Sequence, residues 1–196
     1  MGYRIHITGA SGSGVSTLGE RLSSVLNLPL LDTDDYYWEP TEVPYTQKRT
    51  VPERLDMMHK DQPRDGWIVA GSLMGWGEEL VEDADLIIFI YTPHDLRMQR
   101  LRSREAHRYG DRISETGDMY LVHECFMGWA SRYDDPHFQG RSLTSHNRWL
   151  HDMGLPVLRL DGQRGVSHMA RRTLSALIPP IRIPTNYAVP ANHPRA

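Results

Sequence analysis

Gly9-Ala10-Ser11-Gly12-Ser13-Gly14-Val15-Ser16-Thr17 decides how this chain folds. It follows Tyr3 to Thr8 (YRIHIT), a short run of strand character. It precedes Ser16 to Asn27, where Leu18, Leu22, Val25 and Leu26 recur at helical spacing. A glycine-rich turn between a strand and a helix makes a phosphate cradle. Glycines let backbone N–H groups converge on phosphate oxygens, and the helix N-terminus adds positive potential. Gly9, Gly14 and Ser16 fit the P-loop pattern G-x-x-x-x-G-K-[ST], and Gly12 and Thr17 add to it. The pattern's lysine is absent. Val15 stands there and offers an N–H but no charge. A dinucleotide loop is the competing assignment: Gly9, Gly12 and Gly14 also read G-x-x-G-x-G, with Asp32 near the place of a ribose-binding acid. An NAD(P)-binding protein therefore stays open as an alternative.

Outward from the loop, strands and helices alternate. Leu28 to Leu31, Trp67 to Ala70, Leu86 to Tyr91 and Val157 to Leu160 read as strands. The continuous apolar runs WIVA and LIIFIY suit strands buried on both faces of a parallel sheet. Val51 to Arg64, Pro93 to Arg108, Thr116 to Tyr133, Arg141 to Met153 and Val166 to Leu177 read as helices. That alternation predicts an α/β domain with a mostly parallel sheet.

The 196 residues suit one domain, expected over 1–178. A lid is expected at about 106–139 and a proline-rich tail at 179–196, where a dimer arm is conceivable. No apolar run approaches a membrane span, and no leader pattern opens the chain. The single cysteine, Cys125, fits a reducing cytoplasm and is expected to be packed in its helix. A net charge of −3 argues against a nucleic-acid-coating protein. The ten histidines show no metal-ligand spacing.

Leu31-Asp32-Thr33-Asp34-Asp35 follows the second strand. Asp32 and Asp34 flank one residue, so an extended strand end would point them the same way. Near a phosphate loop, one carboxylate can hold Mg²⁺ with the Ser16 hydroxyl, and the other can accept a proton from an attacking hydroxyl. Trp38, Trp76 and Trp129 are candidates to line an acceptor pocket. The glycine-rich run Gly71 to Gly77, with Ser72, follows strand three at the sheet edge where ligands bind.

GASGSGVST, LDTDDYYWEP, WIVAGS and DADLIIFIYTP, in this order, resemble the adenylate-kinase-like P-loop kinases. More narrowly they resemble the group labelled DNA topology modulation proteins. The resemblance covers about 15–165, and only the glycine loop is a specific motif. It implies a P-loop NTPase three-layer sandwich with a five-stranded, mostly parallel sheet and a helical lid, binding ATP and Mg²⁺. Carried over by residue, Gly9, Ser11, Gly12, Ser13, Gly14, Val15, Ser16 and Thr17 would hold phosphate. Ser16 and Asp32 would hold the metal. Gly162 and Arg164 would lie by the adenine, and Arg100 and Arg104 would clamp phosphates. Asp34, Trp38, Gly71 and Ser72 would face a small acceptor.

The sequence departs from that pattern at Val15, and at Ala70-Gly71-Ser72, where many nucleoside monophosphate kinases carry an acid. Arg97, Arg100, Arg104 and Arg108 recur on one helix face, and Arg112, Arg132 and Arg141 follow. Arg100, Arg104, Arg108, Arg112, Arg132 and Arg141 are the candidates to supply the missing cation. The expected function is transfer of the γ-phosphoryl of MgATP to a nucleotide or hydroxyl metabolite. The alternative is a nucleotide-binding protein with little or no catalysis.

Overall fold

A computed structural model describes residues 2–177, so the tail expected at 179–196 lies outside the described residues. β1 (Arg4–Gly9), β2 (Leu30–Asp32), β3 (Trp67–Ala70), β4 (Leu86–Tyr91) and β5 (Val157–Asp161) form one parallel sheet in the order β2-β3-β1-β4-β5. The expected α/β architecture is present. In the doubly wound dinucleotide sheet, however, β2 lies beside β1. Here β3 does, with Ile5 opposite Ile68, and the NAD(P)-binding alternative is set aside on that ground.

Alternation along the strands sends side chains to two different cores. Ile5, Ile7, Ile68, Ile88 and Ile90 face α1 (Val15–Leu26) and α7 (Val166–Leu177), meeting Leu18, Leu22, Met169 and Ala170. On the other face, Leu31, Trp67 and Val69 pack with Met58 of α3 (Val51–Asp61), and Ile87 and Phe89 with Leu150 of α6 (Leu143–Met153). α4 (His94–Tyr109) and α5 (Tyr120–Ser131) join through Met98, Leu101, Met127 and Ala130. The expected lid segment is therefore the end of α4, α5 and the short turns around them.

Local chemistry sets the boundaries. Thr50 and Glu53 form a capping box at the start of α3, and Pro52 sits in its first turn. The helix stops at Asp61 rather than Arg64, because the residue before Pro63 disfavours helical backbone. The helix expected from Thr116 starts only at Tyr120. Gly117 turns so tightly that a Cβ would lie 2.1 Å from the Arg112 carbonyl oxygen. The sequence reading missed α2 (Thr33–Tyr37), which is five residues long and too short to show a helical period. Among the described residues, no helix is long and apolar enough to cross a membrane.

Candidate active site

The glycine loop leaves β1 at Gly9 and enters α1 at Gly14. Gly12 (φ +79°) and Gly14 (φ +101°) both take left-handed backbone, which favours glycine. A Cβ on Gly9 would lie 2.6 Å from both the Ile90 carbonyl oxygen and Ser13 Oγ, so the loop can close only around a bare backbone. Ser13 N–H donates to the Ala10 carbonyl (3.0 Å), and Thr92 Oγ1 donates to the Ser13 carbonyl (3.2 Å). No side chain caps α1, so the N–H groups of its first turn remain available. Ser13 Oγ is buried without a partner. Free donors at a helix start beneath a glycine turn fit a phosphate group.

Ser16 Oγ donates to Asp32 Oδ2 at 3.0 Å, which places the two expected metal ligands side by side. Thr17 is exposed one residue further on. Asp32 ends β2 and caps α2, its Oδ1 accepting the Asp34 N–H at 3.0 Å. Asp32 and Asp34 therefore meet through a helix cap, not through the same-face alternation expected of a strand end. Asp34 is solvent-accessible yet crowded by protein. Desolvation first, and then the Asp32 charge, push its carboxyl above the usual range, while Arg141 and Arg104 pull it down. Desolvation and Asp32 also raise Asp35.

The arginines divide sharply. Arg97, expected on an outward face with Arg100, Arg104 and Arg108, is fully buried. Its guanidinium donates to the carbonyls of Thr92 (3.2 Å), Ala130 (3.3 Å) and Ser11 (3.5 Å) and to Asp134 Oδ2 (2.6 Å). It buttresses the loop from beneath and cannot reach a ligand. Arg100 donates to the Gly162 carbonyl at 2.9 Å. Arg104 pairs with Glu105 (3.0 Å), Arg112 with Asp118 (2.6 Å) and Arg132 with Asp135 (3.2 Å). Arg141 Nη2 donates to Ser11 Oγ at 3.1 Å, and its carbon centre stands 5.0 Å from the Trp129 ring centroid. Arg141 Nε is buried with no partner, and burial holds the group's pKa below its usual value.

Gly162 closes the far side. A Cβ there would lie 1.8 Å from Thr92 Oγ1 and 2.9 Å from the Ser13 carbonyl oxygen, so the turn after β5 lies hard against the loop. Arg164, in the same turn, is exposed and pairs with Asp161 at 3.6 Å. On the acceptor side, Gly71 (φ +130°) presses on Thr33, and Thr33 Oγ1 accepts the Ser72 N–H at 3.2 Å. Trp38 is half-buried and meets Tyr37 and Tyr45 edge-on, whereas Trp76 is buried against Tyr37. Cys125 is exposed, contrary to the packed position expected of it.

Three groups lie outside the expected set. Tyr45 adopts left-handed backbone (φ +63°) and is close enough to Asp34 and Arg108 to feel both charges. Thr8 Oγ1 lies 2.9 Å from His146 Nε2, and the Tyr133 hydroxyl 3.0 Å from His146 Nδ1, which ties α6 to β1. Burial lowers His146 to about 3 and His6, its fully buried neighbour, to about 4. The even residues of β1 could have hinted at this face, since His6 and Thr8 interrupt an otherwise apolar strand.

The uncharacterized protein YqaC of Bacillus subtilis (strain 168) is 40% identical to this chain over 178 residues, which is 90% of this chain and 98% of that one. The chain belongs to the YqaC family. A shorter stretch of 87 residues, 44% of this chain and 40% of the relative, is 29% identical to cytidylate kinase 2 of Borreliella afzelii (strain PKo). Among solved structures, shikimate kinase from Acinetobacter baumannii superposes with a TM-score of 0.51 at 15% identity, over 89% of this chain and 92% of that one. An uncharacterized protein from Eubacterium ventriosum gives 0.50 at 14% identity, over 89% and 97%. The likeness to shikimate kinase shows that this chain has the fold of that kinase. No family model matches the chain.

Proposed function

We propose that this YqaC-family chain is a phosphotransferase, moving the terminal phosphoryl group of MgATP to a small acceptor that carries a hydroxyl group. One observation carries this: Ser16 Oγ lies 3.0 Å from Asp32 Oδ2 at the uncapped start of α1, under a glycine loop. That pair suits Mg²⁺ at its oxygen ligands. Bound there, the cation would neutralise charge on the transferring phosphoryl group. The chain's own residues do the rest. The N–H groups of Gly12 and of Gly14 to Thr17 hold phosphate oxygens, while that of Ser13 is taken by the Ala10 carbonyl. Gly162 and Arg100 shape the nucleotide side. Asp34, its carboxyl raised by desolvation and by the Asp32 charge, is a stronger base than an ordinary aspartate and would accept a proton from an acceptor hydroxyl. Trp38, Tyr45, Gly71 and Ser72 border the place the acceptor would occupy.

The cytidylate kinase likeness supports a nucleotide as second acceptor class; its own phosphate oxygen would attack and need no Asp34. The motif order resembling the DNA topology modulation group supports the nucleotide site and brings no nucleic-acid contact with it. Val15 favours one other reading, a nucleotide binder that does not transfer. A ³¹P NMR time course decides among them. The purified protein is incubated with MgATP and pooled hydroxyl metabolites and nucleoside monophosphates. A new phosphorus signal growing as the γ-phosphate falls is expected, and its shift reports the acceptor class. ATP resonances broadened by the protein but unchanged over time would sink phosphotransfer and leave the binder.

A further inference from the structure

We infer that the Arg141 guanidinium supplies the charge that Val15 lacks, reaching the phosphate loop from the far side of the cleft to meet the terminal phosphates of a nucleoside triphosphate. The ligand in this inference rests on the phosphotransfer reading above.

The geometry is specific to Arg141. It stands immediately before Ser142, whose hydroxyl accepts the Ser145 N–H (3.2 Å) and caps α6. That cap fixes the direction in which residue 141 leaves the helix. Nη2 then donates to Ser11 Oγ, the third residue of the loop, at 3.1 Å. The Trp129 ring, 5.0 Å away, holds the guanidinium in place. Nε is buried with nothing to accept from it. A guanidinium carries five donors in a fixed fork, and a buried cationic donor without an acceptor is costly unless a ligand provides one. Ser13 Oγ, across the same loop, is a second buried polar atom without a partner. One orphan belongs to the loop itself, and the other to the side chain that reaches the loop at Ser11.

Five other arginines are committed elsewhere, and Arg108 is exposed near the end of α4, by Tyr45 and without contact to the loop. Arg97 is saturated by three carbonyls and a carboxylate. Arg104, Arg112 and Arg132 pair with carboxylates, and Arg100 with the Gly162 carbonyl. Among the described residues, Arg141 has no such ion pair and touches the loop through a side chain. Arginine, unlike lysine, can approach two phosphate oxygens at once from a distance, so the cation need not come from the loop itself.

Four variants of the full chain test this: Arg141→Ala, Arg141→Lys, Val15→Lys, and Val15→Lys combined with Arg141→Ala. Each is first checked by thermal melt. Calorimetric titration then compares MgATP, MgADP and AMP, and Trp129 fluorescence is followed in parallel. Arg141→Ala is expected to weaken MgATP by about 10–100-fold, the equivalent of one charge-assisted hydrogen bond, and AMP far less, because AMP lacks the β- and γ-phosphates. The fluorescence response to MgATP should shrink with it. Turnover, where present, should fall by about 10²–10⁵. The double variant should recover much of the MgATP affinity, since lysine then returns to its usual place. If Arg141→Ala fails to fold, Arg141→Lys serves, with an intermediate loss expected because charge is kept and the fork is not. A folded Arg141→Ala chain that binds MgATP as the parent does overturns the inference, as does a folded double variant with no recovery. The two proposals fail separately. Arg141-dependent MgATP binding without transfer removes the phosphotransferase and keeps Arg141. Transfer at full rate without Arg141 does the reverse.

Discussion

The phosphate loop and the wall facing it are built in opposite ways. The loop is nine consecutive residues, and its shape is set by backbone: left-handed Gly12 and Gly14, and a Gly9 with no room for a side chain. The wall is assembled from Asp34, Arg104, Trp129 and Arg141, which come from four separate segments and act through side chains. The loop is braced through its own Ser11 and Ser13 carbonyls, which accept from the side chains of Arg97 and Thr92. The wall is braced by side-chain ties, from Thr8 to His146 to Tyr133 and from Arg97 to Asp134. Shape in this protein is thus local, and charge is distributed. A cation lost from the loop can be replaced from the wall without reshaping the cradle, which is how a P-loop can carry Val15.

The largest effect should come from the wall. Asp34→Asn keeps the size of the side chain and removes the base. With a hydroxyl acceptor, turnover should drop by about 10²–10⁴, while MgATP affinity stays close to that of the parent. The pH profile sharpens the point. A base works deprotonated, so the parent's rate should rise with pH through the Asp34 pKa. Because that pKa is raised, the acid limb should lie above the range of an ordinary carboxylate. A variant that turns over at the parent's rate would move the acceptor class to nucleotides.

The wall should also fail first in acid. His6 and His146 are held neutral by burial, at about 4 and about 3, below the ordinary imidazole value. Above pH 6.5 neither costs the fold anything. Below it, the unfolded chain takes up protons that the native chain refuses. Stability should then fall by about 1.4 kcal/mol per pH unit for each histidine down to about pH 4. Asp118, lowered by its hydrogen bonds from Arg112, and Asp135, lowered first by the His137 N–H and then by Arg132, titrate further down. Asp34 and Asp35, raised in the native state, instead take up protons earlier than in the unfolded chain and offset part of the loss. Denaturant melts from pH 7 to 5 measure the loss, and hydrogen exchange should open α6 before α1. A flat stability over that span would mean that the imidazoles take up protons in the native state as readily as in the unfolded chain.

The same division explains what the sequence could tell. The strand–loop–helix order, the five strands and the Ser16–Asp32 pair were legible because each rests on residues close in sequence, or on a period of two or 3.6. Arg97 was not. Four arginines at helical spacing read as one face, yet α4 turns its first arginine into the protein, where Asp134, 37 positions away, neutralises it. Arg141 could be named only as one of several cations. Its contact with Ser11 spans 130 positions, and no local pattern encodes a pairing so distant. α2 escaped notice because its start is fixed by the Asp32 cap and not by a hydrophobic repeat.

The loop should be less sensitive to charge and more to shape. Gly9→Ala places a methyl group 2.6 Å from the Ile90 carbonyl oxygen, which is backbone and cannot swing aside. Overpacking of this kind costs about 1–3 kcal/mol. The strand end must shift, so nucleotide affinity should fall together with the melting temperature. Unimpaired MgATP binding in Gly9→Ala would show that the cradle tolerates distortion and that the wall holds the ligand.

Ser16→Ala should have the smallest effect on the fold. It removes an exposed hydroxyl whose bond to Asp32 is worth about 0.5–1.5 kcal/mol at most, and α1 keeps its N–H groups and its length. The cost to the metal should be larger than the cost to stability, because an oxygen ligand is lost beside a carboxylate that cannot replace it. Titration with and without Mg²⁺ separates the two. The variant should hold metal-free nucleotide much as the parent does and lose the gain in affinity that Mg²⁺ brings. If Mg²⁺ strengthens binding equally in both chains, the cation must sit on the wall, among Asp34 and Asp35. The loop would then contribute shape alone, and the contrast between the two halves would be complete.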